Sequence, residues 1–175
     1  YKIYGGLSFY QRKEIKDLLG YFRLVANPTD EEALKRVINY PKRGIGDSSI
    51  ERVIIAANHY SVSLWDIISR PRDYPTDIPS AAMNKISGFV TMIESFRVQL
   101  NKIDAHEMAQ AIARSSGILK ELYDDKSPEG VSRYENIQAL LAGIKEFTEG
   151  VGEDEIGYLH DFYLIETAKP YAIEE

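Results

Sequence analysis

The chain has 175 residues, 44% of them hydrophobic and 27% charged, with a formal net charge of −6 and no cysteine. That length supports one domain with a proper core, or a domain plus part of another. The composition excludes a disordered tail, and the missing cysteine excludes a disulfide framework, thiolate zinc sites and thiol catalysis.

No apolar run approaches the ~20 residues that span a bilayer, and YKIYGGLSFY is not a signal peptide, so no membrane is expected. Cysteine usage fits a cytoplasmic home. A start at Tyr1 without an initiator Met reads as an excised piece of something longer. Charge is unevenly spread. Residues 1–43 carry nine cations against five anions, leaving 12 cations and 22 anions for the remainder. Such asymmetry is most simply surface solubility, and acquires meaning only beside a motif.

Helical periodicity dominates. The spacing of Ile15, Leu18, Leu19, Phe22 and Val25 predicts a helix over 9–26, with Ser8 and Gln11 at capping-box spacing. Pro28 disfavours a helical Asn27, and Asp30 is placed to cap a short helix carrying Leu34, Val37 and Ile38. A third helix carries Ile50, Val53, Ile54 and Ala57, with Ser48 and Glu51 at capping-box spacing. SVSLWDIISR reads as a further short helix, and PRDYPTDIPS, with three of the seven prolines, as a loop.

Ile86, Phe89, Val90, Ile93, Phe96, Leu100 and Ile103 predict a long helix over 80–103. DAHEMAQAIARSSG is a helix closed by Gly117. SPEGVSRYENIQALLAGIKEFTEG starts with Pro128 in a first turn and is expected to bury Val131, Tyr134, Ile137, Leu141, Ile144 and Phe147. VGEDEIGYLHDFYLIETA suggests a last short helix, and YKIY is the one strand-like segment. The expected class is all-α, an irregular multi-helix bundle with a helix–hairpin–helix-like corner at Gly44-Ile45-Gly46.

No catalytic constellation is readable. Gly152 and Gly157 have the glycine spacing of a phosphate loop, but Tyr158 and Leu159 stand where Lys and Ser or Thr are needed. Gly44 and Gly46 begin a dinucleotide fingerprint that Ser49 ends. His59, His106 and His160 are scattered, and Glu153, Asp154 and Glu155 read as a solvated cluster, so no metal site is expected.

YPKRGIGDSSIERV, residues 40–53, is the segment with chemical promise. Gly44 and Gly46 can both take positive φ, turning the backbone so that successive amides face one point. A helix N-terminus follows, whose free amides and dipole suit an anion, and Lys42 and Arg43 add attraction. Ile45 is placed to plug the hairpin into the core. This is the logic of helix–hairpin–helix devices that hold nucleic-acid backbone without reading bases. The plain alternative is a tight turn in which glycine ends one helix and Asp47 caps the next.

YGGLSFYQRKEIKD (4–17) followed by RLVANPTDEEALKRVINYPKRGIG (23–46) resembles superfamily 1A DNA helicases of the UvrD/PcrA/Rep kind. SRYENIQALLAGIKEF (132–147) resembles a later helix of the same family, whereas the middle, from about 64 to 126, diverges. The resemblance implies a piece of a helicase. Residues 1–38 would be an edge of motor subdomain 2A containing motif IV, and residues 39–175 the inserted helical subdomain 2B. It implies ATP and Mg for the parent protein and none bound by this piece, with 3′ to 5′ movement along single-stranded DNA.

By resemblance, Lys42, Arg43, Gly44, Ile45, Gly46, Asp47 and Ser48 would meet duplex DNA backbone. Phe9 and Arg12 of motif IV would lie near the motor's DNA-facing and coupling surface, Arg12 as the direct contact. Repair or replication proteins are implied partners. Two other readings stay open: an acidic bundle that docks another protein, and a free-standing helix–hairpin–helix module.

Overall fold

A computed structural model describes residues 7–149. Among the described residues nine helices and no strand are found, as the all-α reading expects. The suggested strand at 1–4 and the suggested helix beyond 150 lie outside the described residues.

The first predicted helix is two. α1 (Leu7–Tyr10) ends in a turn, and α2 (Lys13–Ala26) begins after Arg12, which makes no side-chain cap. Ser8 sits inside α1, so the expected capping box does not form. α2 is buried around most of its circumference, including Tyr21 and Leu24 outside the predicted stripe. The reason is position: α2 packs against α3 (Glu31–Val37), α6 (Ser80–Arg97), α7 (Ala105–Ser115) and α9 (Pro128–Glu149). A helix with neighbours on several sides is apolar beyond one face. The expected boundary at residue 38 is not a gap in packing, because one hydrophobic cluster runs from Phe9 to Ile144.

Asp30 caps α3 as expected, accepting from the Ala33 amide at 3.0 Å, and Arg23 Nε donates to its other oxygen at 3.1 Å. Two further polar ties seat α2. Its buried Asp17 carboxylate accepts from Lys13 Nζ and Arg36 Nε, both at 2.8 Å. Arg97 of α6 donates to the Val25 carbonyl at 2.6 Å, satisfying one orphan acceptor at the α2 C-terminus.

α4 (Asp47–Tyr60) and α5 (Leu64–Ser69) follow the glycine corner. The capping box lies at α5, where Ser63 and Asp66 bond reciprocally. The expected one at α4 is absent, because that helix starts earlier, at Asp47, with Gly46 as its N-cap. α6 stops at Arg97, shorter than its apolar pattern, and Leu100 and Ile103 pack from the following turns. Gly117, with φ 94°, closes α7 and opens α8 (Ile118–Asp124), a helix the sequence pattern did not suggest. α9 buries Ile137, Leu141 and Ile144 as expected, but Val131 is 46% exposed.

Candidate nucleic-acid interface

The glycine corner is built from the inside. After α3 the chain passes Asn39, Tyr40 and Pro41 and reverses at Gly44. The Asn39 side-chain oxygen accepts from the amides of Arg43 (2.9 Å) and Ile45 (3.0 Å), cross-linking the loop. Ile45 is fully buried, so the plug expected from sequence forms. Those two amides therefore converge on an internal acceptor and are not open to an outside anion.

Arg43 also turns inward. Its Nη1 donates to the carbonyls of Val37 (3.0 Å), Ile38 (3.3 Å) and Tyr40 (3.1 Å), and Nη2 donates to Tyr21 Oη and to the Ser116 carbonyl (3.1 Å). The guanidinium carbon lies 5.2 Å from the Phe89 ring centre and 5.7 Å from that of Tyr21. A rigid fork of donors suits this task, because several carbonyls at the end of α3 need partners at once. Arg43 is thus a holding residue of the corner. By resemblance Arg43 is among the residues that would meet duplex backbone, and its guanidinium is taken up here by internal acceptors.

The two glycines differ. Gly44 has φ 79°, the left-handed region that favours glycine. Gly46 has φ −79° and ψ 165°, an extended conformation open to any residue, and a Cβ there would meet nothing within 4 Å. The expected positive φ at Gly46 is corrected, since one left-handed residue suffices for the reversal.

What faces outward is Lys42, Gly44, Gly46, Asp47 and Ser48, all exposed. The amides of Gly44, Gly46, Asp47 and Ser48 have no hydrogen-bond partner among the described residues. No side chain caps α4, so its N-terminal amides and partial positive charge stand open beside Lys42. Helix α6 brings Lys85 against the same turn: a Cβ on Gly44 would lie 3.0 Å from Lys85 Nζ.

Phe9 and Arg12 part company. Phe9 is 4% exposed and packs edge-on to Tyr10 at 5.5 Å, so its ring belongs to the core rather than to a DNA-facing surface. Arg12 is exposed and lines a groove of about 470 Å³ with Lys13, Glu14, Pro128, Glu129, Ser132 and Arg133. Glu14 in its wall is buried and accepts from Asn136 Nδ2 at 2.7 Å. The groove mixes both charges. Three cations of residues 1–43 pair with anions of the same segment, Lys13 and Arg36 with Asp17 and Arg23 with Asp30 and Glu32, which leaves the positive excess of that segment unchanged. No group of three or more metal-ligating side chains occurs among the described residues, and no described helix is long and apolar enough to cross a membrane.

The family model of the UvrD-like helicase C-terminal domain matches residues 1–167. This chain belongs to that family. The UvrD-like chain is 33% identical over 168 residues to the ATP-dependent DNA helicase PcrA of Staphylococcus aureus, covering 94% of this chain and 23% of that protein. It is 36% identical over 167 residues to PcrA of Bacillus subtilis, 94% of this chain and 22% of that protein. With PcrA of Leuconostoc citreum it shares 34% over 149 residues, 85% of this chain and 20% of that one. The chain thus spans less than a quarter of the length of these relatives.

Within this UvrD-like chain, the resemblance read from the sequence found the corner and missed what holds it. Asn39, Tyr21, Phe89 and Ser116 meet Arg43 or its loop across as many as 73 residues, and no spacing rule reports such contacts. Asn39 carried a local signal, as an Asn four residues before an amide it can accept from.

Proposed function

We propose that this chain is the part of an ATP-dependent DNA helicase that holds duplex DNA by its phosphate backbone, through the corner at Lys42, Gly44, Gly46, Asp47 and Ser48. Arg43 and Ile45 enter as the residues that fix the corner from within. Support comes from the family membership and from the relatives' description as ATP-dependent DNA helicases. The observation that carries the reading is the set of outward amides at Gly44, Gly46, Asp47 and Ser48, without internal partners, beside an uncapped helix N-terminus and a free Lys42. Backbone amides and a lysine bind phosphate without regard to base sequence.

The same reading divides the chain at residue 38 into an edge of motor subdomain 2A with motif IV and the inserted 2B subdomain, which regulates unwinding. It gives ATP and Mg to the whole helicase, together with 3′ to 5′ translocation on single-stranded DNA in the cytoplasm. Arg12 is the motif IV contact, and Phe9 supports it from the core. The chain alone is not expected to hydrolyse ATP, since no lysine-bearing phosphate loop is present in it.

The test is duplex binding by the chain as a function of salt. Lys42→Ala should lower affinity and flatten the dependence of log K on log salt by about 0.9. Duplex binding that ignores both salt and Lys42→Ala would overturn the reading and favour an acidic surface that docks a protein.

A further inference from the structure

We propose that Lys85 of α6 is a second phosphate-binding cation of the corner, meeting the same duplex backbone as Lys42 although it lies 43 residues away in the chain. The inference rests on the proposed function above and adds a residue to its site. The carrying observation is a close approach. A Cβ built on Gly44 would lie 3.0 Å from Lys85 Nζ and 3.4 Å from its Cδ and Cε, so the end of this side chain lies along the bare face of the glycine. Gly44 therefore has two duties. Its φ of 79° makes the reversal, and its missing side chain leaves room for an ammonium.

Nothing among the described residues pairs with that ammonium. Lys85 has no ion pair and no hydrogen bond among the described residues, and neither does Lys42. Beneath them lies a third cation, Arg43, whose partners are carbonyls, a hydroxyl and rings rather than a carboxylate. The amides of Gly44, Gly46, Asp47 and Ser48 add partial positive charge, and Asp47 is the one acid within the 42–48 segment. A flexible lysine on an exposed helix is free to swing into water, and like charges gathered at one turn repel. The arrangement is favourable when an anion with several oxygens sits on it, and a phosphodiester is such an anion.

The position of Lys85 is fixed by the same stack that fixes the corner. One turn further along α6, Phe89 is buried beneath the Arg43 guanidinium at 5.2 Å, and Ile86 is fully buried. Residues four apart on a helix share a face, so seating Phe89 on Arg43 carries Lys85 to Gly44. The sequence alone gives no hint of this, because Lys85 is one of several exposed polar residues on an ordinary amphipathic helix.

The experiment measures binding of the chain to a fluorescein-labelled DNA duplex, and to the matching single strand, by anisotropy over a series of salt concentrations. Lys85→Ala should flatten the duplex salt dependence by about 0.9 and weaken binding, with a smaller loss on the single strand. Lys85→Arg should keep the slope. Lys145→Ala, removing the same charge from the exposed face of α9, should leave it unchanged. If Lys42→Ala weakens duplex binding and Lys85→Ala does not, the inference on Lys85 falls while the reading of the corner stands. If neither does, both fall. Equal losses on duplex and single strand would overturn the assignment of Lys85 to duplex backbone. A thermal melt within the wild-type range for Lys85→Ala confirms that binding, not folding, is being read.

Discussion

The Arg43 guanidinium donates to the carbonyl of Ser116, 73 residues away, at 3.1 Å, joining the glycine corner to the end of α7. The same group takes the carbonyl of Val37 at the end of α3, those of Ile38 and Tyr40 after it, and the Tyr21 hydroxyl, so one side chain ties α2, α3 and α7 together. Pro41 extends that contact, its Cγ lying 3.5 Å from where a Cβ on Gly117 would be. The corner is held by its own buried partners before any ligand arrives, and the holding residue is distinct from the outward-facing lysines.

Arg43→Lys should therefore lower stability while leaving the salt dependence of duplex binding intact. Lysine keeps the charge but cannot serve the same spread of acceptors from one planar group. Acceptors left without a donor in a buried setting cost on the order of 1–3 kcal/mol. Urea unfolding should show that loss for Arg43→Lys and a larger one for Arg43→Ala. A flattened salt slope in a folded Arg43→Ala protein, which loses the charge, would mean that Arg43 reaches phosphate itself.

The two glycines should separate on substitution. Gly46→Ala introduces a side chain into open space at an ordinary extended conformation, but alanine is a poorer N-cap than glycine, so the unfolded-state gain of about 0.4–1 kcal/mol is offset and stability should change little. Gly44→Ala forces a left-handed conformation, at about 1–2 kcal/mol, and also pushes the Lys85 ammonium aside. Thermal melts of the two variants should differ in this order. Duplex binding by Gly46→Ala then reads close approach of backbone to phosphate without a change of fold. Unaltered affinity there would remove Gly46 from the contact surface.

Alkaline pH should loosen the corner. Burial pushes the Tyr21 hydroxyl up to about 12 against the pull of Arg43, and burial followed by the Asp17 charge pushes Tyr40 to about 12. Unfolded tyrosines ionise near 10, so below that pH these groups add no pH dependence. Between about 10 and 12 the unfolded chain has lost protons the folded chain keeps, and stability falls as pH rises. Urea midpoints over that range should drop, and Tyr21→Phe should remove about one proton's worth of the slope. An unchanged slope in Tyr21→Phe would contradict a protonated, buried phenol at this position.

How far sequence carried the description can be judged residue by residue. Apolar spacing located α2, α3, α4, α6, α7 and α9, because a helix packed on one side writes its period into the chain. It failed where burial is not one-sided. α2 hides residues off its stripe, and Val131 follows the stripe of α9 yet lies 46% exposed near the helix start. α8, with seven residues like α3, was missed because no side chain caps it and its N-cap, Gly117, reads as the end of α7. At the candidate site, the glycines and Ile45 were legible as local chemistry. The inward turn of Arg43 and the approach of Lys85 were not, since a charged side chain in a sequence does not say which way it points.

Two other helical glycines test the packing itself, and helix propensity alone gives the wrong answer for one of them. Replacing glycine by alanine inside a helix is worth about 0.8–1 kcal/mol in isolation. Gly88, exposed on α6 with nothing within 4 Å of a built Cβ, should show that gain. Gly130 should not. There a Cβ would collide with the carbonyl oxygen and carboxyl carbon of Asp125 and lie 2.6 Å from its Cβ. Asp125 cannot step aside cheaply. Its carboxylate accepts from the Ser127 amide (3.0 Å) and hydroxyl (2.7 Å), and the Ser127 hydroxyl oxygen accepts from the Gly130 amide (3.1 Å). These bonds fold the loop onto the first turn of α9, so relief requires moving backbone. Overpacking of that kind costs about 1–3 kcal/mol and outweighs the propensity gain. Urea midpoints should therefore rise in Gly88→Ala and fall in Gly130→Ala. A rise in both would mean that the loop between α8 and α9 yields freely, and that Gly130 is there for no packing reason.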